Sequence, residues 1–206
     1  GVNFLTRLSR RLKKLAASFF LLFVETVLYS CTRNKLYLSG LAPSAVRYLF
    51  FPCGVDRDYF LRTPSISDTA KAEMLEKIGL NPDKPTVVYS GRLTRRKRVT
   101  DLIDASTLTI VRPNILIIGD GPERTEIEEL AHQYGLNAYV TGFLPQDQLG
   151  GFYRLADCFV ICSEYDASPK TLNEALVYGL PIISSDGVGT SDDLSKDGFN
   201  GKTYQV

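Results

Sequence analysis

From Thr86 onward, short apolar runs alternate with segments whose apolar residues recur at helical spacing. VVYS (87–90), ILIIG (115–119), AYVTG (138–142), CFVIC (158–162) and PIISS (181–185) are short and mostly rich in β-branched residues, and read as strands. Between them, Val99, Leu102, Ile103 and Ser106, then Ile127, Leu130, Ala131 and Tyr134, follow the spacing of amphipathic helices. Further helices are predicted over 148–156, weakened by Gly150 and Gly151, and over 171–178. Continuous apolar strands alternating with helices imply a parallel sheet covered on both faces. The expected fold class is α/β, a Rossmann-like doubly wound parallel sheet.

Upstream, residues 7–29 predict one helix, KLYL (35–38) a short strand, and 43–49 another helical turn. FFPCGVDRDYF breaks regular structure at Pro52 and Gly54, and a helix over 68–78 stops at Gly79. Three regions follow: a helical segment over 1–49, a linker and first helix over 50–85, and the sheet domain over 86–206. The chain opens on Gly1 and not Met, so it is expected to be a processed or truncated product. RLSRRLKK (7–14) followed by AASFFLLFVETVLY (16–29) imitates a signal peptide, but Glu25 interrupts the apolar region and Tyr29 stands where a small residue is wanted. The apolar stretch is also short of the roughly 20 residues a transmembrane helix needs. Two readings stay open for 7–29: an amphipathic helix packed on a neighbouring domain, or a membrane-surface helix with a basic collar.

Composition removes several classes. Of 206 residues, 44% are hydrophobic and 23% charged, as in an ordinary globular chain. Lys+Arg number 24 against 23 Asp+Glu, so there is no global basic signature and no nucleic-acid partner is expected. The single histidine, His132, falls on a predicted helix surface and argues against His-based metal sites and Ser-His-Asp catalysis. No metal site is expected. Cys158 and Cys162 share a strand face about 13 Å apart, too far for a disulfide. Nothing points to an oxidising compartment, and a cytoplasmic location is expected.

Ligands of doubly wound sheets bind beyond the carboxyl ends of the strands, so four loops carry the candidate chemistry. In SGRLTRRKRV (90–99), Gly91 is followed by Arg92, Arg95, Arg96, Lys97 and Arg98. This is either a solvated charged face or a polyanion site, where Arg forks and Lys charges suit phosphate oxygens. GDGP (119–122) is weak as a dinucleotide fingerprint. Gly119 and Gly121 either let the backbone approach a flat ligand or simply make a tight turn, with Pro122 at a helix's first turn. TGFLPQDQL (141–149) offers Phe143 and Leu144 to a base or to packing. In the fourth loop, Asp166 follows a strand and Pro169 opens a helix whose Lys170, Thr171 and Leu172 amides lack intrahelical partners. Such a terminus favours an anion by about 0.3–1 kcal/mol when exposed, and up to about 2 when partly buried. Glu174 lies a turn further on, so Asp166 and Glu174 are expected to face one pocket from opposite sides of the anion, where each could bind sugar hydroxyls.

These segments resemble the nucleotide-binding domain of GT-B glycosyltransferases, specifically the retaining group 1 type (family 4). PCGVDRDYF resembles the interdomain P-N-G-V-D-x-x-x-F, with Cys53 in place of Asn. Arg92 and Lys97 match the basic pair of G-R-L-x-x-x-K. Asp166 through Glu174 match E-x7-E with Asp in the first acidic position, and EALVYGLP resembles the continuation E-A-x-x-x-G-x-P. DGVGTSDDL and DGFNG fit the downstream segment. The resemblance covers about residues 50–206, with Arg98 standing where the family usually has Gly.

The resemblance implies one half of a GT-B fold, with residues 1–49 the tail of an N-terminal, acceptor-side domain and the donor domain truncated at its C-terminus. It implies transfer of a sugar from a UDP-, GDP- or ADP-sugar, with retention, to a saccharide or lipid-linked acceptor in polysaccharide or glycoconjugate biosynthesis. Arg92 and Lys97, with the amides at 170–172, would stabilise the departing diphosphate, and these fixed cations would make a metal unnecessary; no cofactor is expected. Asp166 would hold the donor sugar, Glu174 the ribose diol, and Gly121, Phe143 and Leu144 the base region. The complete fold is about twice as long, so this chain alone is expected to bind donor without turnover. A non-catalytic nucleotide-sugar-binding module or partner subunit is the alternative.

Overall fold

A computed structural model describes the backbone of residues 4–43 and 45–206, and the side chains of residues 11–43 and 45–206. The chain divides into two compact units, Gly1–Cys53 and Gly54–Val206.

The first unit is a small parallel βαβ arrangement. Helix α1 (Phe4–Leu21) ends in tight turns at residues 22–24, and strand β1 (Thr26–Tyr29) follows. Helix α2 (Thr32–Ser39) crosses over to β2 (Arg47–Phe50), which pairs with β1 in parallel. Three expectations are corrected here. The helix predicted over 7–29 stops at Leu21, because TVLY is β-branched and aromatic and finds a strand partner in RYLF. KLYL is not a strand: parallel pairing of β1 with β2 requires a crossover, and those residues supply it as α2. Its first turn is capped by Cys31, whose Sγ accepts from the Asn34 amide at 3.4 Å. Pro43 and residues 45–49 are not helical either; from Arg47 the chain is β2. The core is Leu21, Val27 and Val46 with a ring of half-buried neighbours. Arg7 and Arg10 of the predicted basic collar lie outside the residues whose side chains are described. Among the described residues, no helix is long and apolar enough to cross a membrane.

The second unit opens with α3 (Arg57–Leu61), capped by Asp56, and α4 (Asp68–Lys77), capped by Ser67. Strands β3 (Thr86–Ser90), β4 (Asn114–Ile118), β5 (Ala138–Val140), β6 (Cys158–Ile161), β7 (Ile182–Ser185) and β8 (Gly201–Tyr204) form one wholly parallel sheet in the order β5-β4-β3-β6-β7-β8. This is a doubly wound sheet that reverses direction between β3 and β6. Helices α5 (Val99–Thr107), α6 (Arg124–Gln133), α7 (Gln146–Tyr153), α8 (Lys170–Val177) and α9 (Ser191–Leu194) connect the strands. β4 is buried along its whole length because both sheet faces are covered, which is why it reads as an unbroken apolar run from Ile115 to Ile118.

Two cores lie on opposite faces. Val88, Leu116, Phe159 and Ile182 point to one, with Leu75, Tyr153, Leu172 and Ala175. Ile115, Ile117, Val160 and Cys162 point to the other, with Val99, Ile103, Ile127 and Ala131. Cys158 packs on the same face as Cys162, as period two demands, and all four cysteines are reduced thiols. β8 escapes a pattern search because GKTY is a short edge strand carrying an exposed Lys202. Pro122 precedes its helix instead of opening its first turn, since α6 begins at Arg124.

Candidate functional site

At the carboxyl ends of β3 and β4 a cleft of about 460 Å³ is lined by Ser90, Gly91, Arg92, Ile118, Gly119 and Asp120. Phe143, Leu144 and Leu149 close one side, and Thr171 and Glu174 of α8 reach in from the other. Seven residues predicted from separate loops therefore meet in one place: Gly91, Arg92, Gly119, Phe143, Leu144, Thr171 and Glu174. Phe143 is 82% exposed, a ring presented to whatever enters.

Close loop packing builds the floor. The Gly91 amide donates to the Ile118 carbonyl at 2.9 Å, and the Leu93 amide to Asp120 at 2.9 Å. A Cβ on Gly119 would overlap the Gly91 carbonyl, and one on Gly121 would overlap the Leu93 carbonyl. The glycines of GDGP are thus required by approach to a neighbouring protein loop. Gly121 is not among the lining residues. Gly91 sits 2.9 Å, at its absent Cβ, from the Tyr89 hydroxyl, so a buried ring lies directly beneath it.

The five basic residues of 92–98 do not act as one cluster. Arg92 lines the cleft. Lys97 Nζ forms an ion pair with Asp166, both side chains being mostly buried at 16% and 17% exposure. Arg95 and Arg98 instead line a different cavity with Thr100, Asp101, Glu123, Glu126 and Glu164. Arg96 gives its carbonyl to the Glu164 amide at 2.9 Å. A short 3₁₀ turn over Arg95–Lys97 rotates successive side chains apart, which a linear reading of charge misses. Arg98 has φ 50° and ψ 42°, the left-handed conformation that a glycine adopts at little cost, and its Nε reaches Asp101 at 2.8 Å.

Asp166 is not a lining residue of the Glu174 cleft. Its amide donates to Gly187 at 3.1 Å and its carbonyl accepts from Gly189 at 2.8 Å, which fixes the loop beside Lys97. Pro169, buried, precedes α8 without a side-chain cap, so the Lys170, Thr171 and Leu172 amides begin the helix. Leu172 is fully buried in the core, leaving only its backbone for a ligand, and Lys170 is exposed. His132 is exposed on α6.

Glu174 is a buried acid, with Oε2 accepting from the Tyr153 hydroxyl at 2.9 Å. Burial raises its carboxyl above the usual range, while the Tyr153 hydrogen bond and the Lys170 charge pull it down. A folded-state value above the unfolded one means that ionised Glu174 opposes folding. Its contribution to stability is most favourable at acid pH and is lost as pH rises through that raised value. Among the described residues no cluster of three or more His, Cys, Asp or Glu is placed to hold a metal ion.

Sequence reasoning passed over Ser90, Ile118, Asp120, Leu149 and Tyr153. Ser90 and Ile118 end their strands, so the carboxyl-end rule was a usable signal for both. Tyr153 had none, because an aromatic in an amphipathic helix looks like core.

The family model for glycosyl transferases group 1 matches residues 70–205. A GDP-mannose-dependent alpha-(1-6)-phosphatidylinositol monomannoside mannosyltransferase of Mycobacterium tuberculosis is 31% identical over 186 residues, covering 83% of this chain and 46% of that protein. The alpha-monoglucosyldiacylglycerol synthase of Acholeplasma laidlawii is 28% identical over 160 residues, covering 75% and 39%. This chain therefore spans less than half the length of either. Anabaena HepE, solved in complex with UDP and glucose, superposes with a TM-score of 0.75 at 18% identity, over 93% of this chain and 52% of that one. The six-stranded parallel sheet is that of the GT-B glycosyltransferases, and the chain belongs to the glycosyl transferases group 1 family.

Proposed function

We propose that this chain is the donor-binding unit of a retaining, family 4 glycosyltransferase that takes a sugar from a nucleotide diphosphate sugar. The observation that carries this is the convergence of Arg92, the start of α8 and the buried acid Glu174 on one cleft floored by glycines. Arg92, Lys97 and the amides of 170–172 receive the diphosphate. Glu174 accepts from the ribose diol, and Phe143 and Leu144 face the base. Asp166, held beside Lys97, accepts from the donor sugar's hydroxyls. As the bond from the anomeric carbon to the diphosphate oxygen breaks, negative charge collects on the leaving group. Donors already fixed in place stabilise that charge without reorganisation.

Calorimetry of this chain with UDP, GDP, ADP and NAD⁺, in EDTA, tests the assignment. Tight binding of one nucleoside diphosphate and none of NAD⁺ is expected. Failure of all three diphosphates to bind would overturn it for this chain.

The acceptor is proposed to be a saccharide or a lipid-linked sugar used at the cytoplasmic membrane face. The first unit supports membrane contact: residues 1–53 hold eight Lys and Arg against one acid, Glu25. Along α1 and the turn after it, Leu12, Leu15, Phe19, Phe20 and Phe23 are exposed beside exposed Arg11, Lys13 and Lys14. Each basic residue near an anionic surface contributes about 1 kcal/mol. Flotation on phosphatidylserine vesicles should therefore fall roughly 100-fold in affinity for the triple variant Arg11→Gln, Lys13→Gln, Lys14→Gln. Unchanged flotation would remove the membrane role of this helix.

A further inference from the structure

We propose that Tyr153, which does not line the cleft, is a positioning residue whose hydroxyl fixes the Glu174 carboxylate for the ligand; this rests on the reading of Glu174 as the acid that meets the ribose. The geometry starts with a phenol that is fully buried in the core between α7 and α8. A buried phenol needs a partner, and here it is Glu174 Oε2 at 2.9 Å. Phenylalanine would fill the same space, so packing alone gives no reason for the hydroxyl.

The ring is held on several sides. It stacks on Tyr178 with centroids 5.4 Å apart and planes 13° apart, and it tilts against Phe159 at 6.3 Å. Tyr178 is fixed in turn: its hydroxyl donates to the Phe60 carbonyl at 2.7 Å, and the Arg154 guanidinium lies over its ring at 5.2 Å. Arg154 donates to the Thr63 carbonyl at 2.6 Å. A chain of contacts thus runs from the loop after α3, through Arg154, Tyr178 and Tyr153, to one carboxylate oxygen in the cleft. Ser90, which lines the cleft at the end of β3, also lies close to the Tyr153 hydroxyl.

The consequence is electrostatic as well as geometric. Glu174 faces Tyr153 from α7, Lys170 from its own helix and Tyr178 just past that helix's end, and a cleft that also holds Arg92 and Asp120. Burial works against its charge, and the phenol is the foremost group working for it. A hydroxyl whose ring is held on several sides favours the charged form of the acid and holds it in one orientation, with no cost of ordering when ligand arrives.

Three variants of this 206-residue chain test the proposal: Tyr153→Phe, 3-fluorotyrosine at position 153, and Tyr178→Phe, which keeps the stack. The Glu174 carboxyl is followed by ¹³C NMR across pH without ligand, its signal assigned by loss in Glu174→Gln. Affinity for UDP, GDP and ADP is then measured by calorimetry. Tyr153→Phe should move the Glu174 midpoint to higher pH and weaken diphosphate binding about tenfold. The more acidic fluorophenol should move the midpoint to lower pH. Tyr178→Phe, which keeps the stacked ring but loses its bond to Phe60, should move both less than Tyr153→Phe does, since its hydroxyl is bonded to Phe60 and not to the acid. An unmoved midpoint in both position-153 variants, or an equal shift in Tyr178→Phe, would overturn the proposal. If the parent binds no diphosphate, it is the reading of the cleft that fails, and the ligand-free titration still decides the role of Tyr153.

Discussion

Replacing Lys97 with alanine should weaken binding of the preferred nucleoside diphosphate by roughly 10- to 100-fold while leaving the corresponding nucleoside untouched. The ammonium is mostly buried and held by Asp166, so it is presented in one place instead of sampling solvent. A charge-assisted bond from such a group is worth about 1.5–3 kcal/mol, whereas an exposed lysine would give far less. Arg92→Ala should act in the same direction from the cleft wall. In sugar transfer, losing one preorganised donor should lower the rate by about 10²–10³. Lys97→Ala also strands Asp166, so stability should fall by about 1–3 kcal/mol even without ligand. Calorimetry with diphosphate and nucleoside side by side is the measurement. Equal losses for the two ligands would place Lys97 away from the diphosphate.

The second large effect is expected at Gly119. Its φ is 148°, and an added Cβ would collide with the Gly91 carbonyl, a backbone atom that has no alternative rotamer. That carbonyl belongs to a loop tied to β4 through the Gly91 amide, so the loops can separate only by breaking the floor of the cleft. Gly119→Ala should therefore cost at least about 3 kcal/mol. For a chain of this size that is a melting temperature lower by on the order of 10 °C. Gly135→Ala provides the contrast. Its φ is 63° but nothing lies within 4 Å, so only left-handed strain of about 1–2 kcal/mol applies and the loss should be a few degrees. Thermal unfolding of both variants checks this. A Gly119→Ala melt no lower than that of Gly135→Ala would mean that the two loops are free to part.

Much of the second unit was legible because burial leaves a local trace. A strand covered on both faces is apolar at every position, and a helix lying on it is apolar every three or four residues; both can be counted along the chain. The loops after those strands could be singled out for the same reason, and Arg92, Phe143, Leu144, Thr171 and Glu174 do line one cleft. Past α1, the first unit was misread because β1, α2 and β2 are four, eight and four residues long, too short for a period to assert itself. There, a parallel partner 21 residues away decided that TVLY is a strand and that KLYL belongs to a helix.

By itself, then, the amino-acid order determined the alternation of strands and helices, the carboxyl-end loops, and the residue types available for anion and hydroxyl recognition. Only the tertiary structure decided which of them meet. Lys97 and Asp166 are 69 residues apart and pair in space, while Arg95 and Arg98, within two positions of Lys97 in sequence, turn to another cavity. Gly119 and Gly121 answer to loops more than 25 residues away, and Tyr153 is joined to Glu174 across two helices. Periodicity records whether a side chain is buried, since burial repeats with the local geometry of the backbone. What a side chain touches is settled by the packing of distant segments, and that carries no local period.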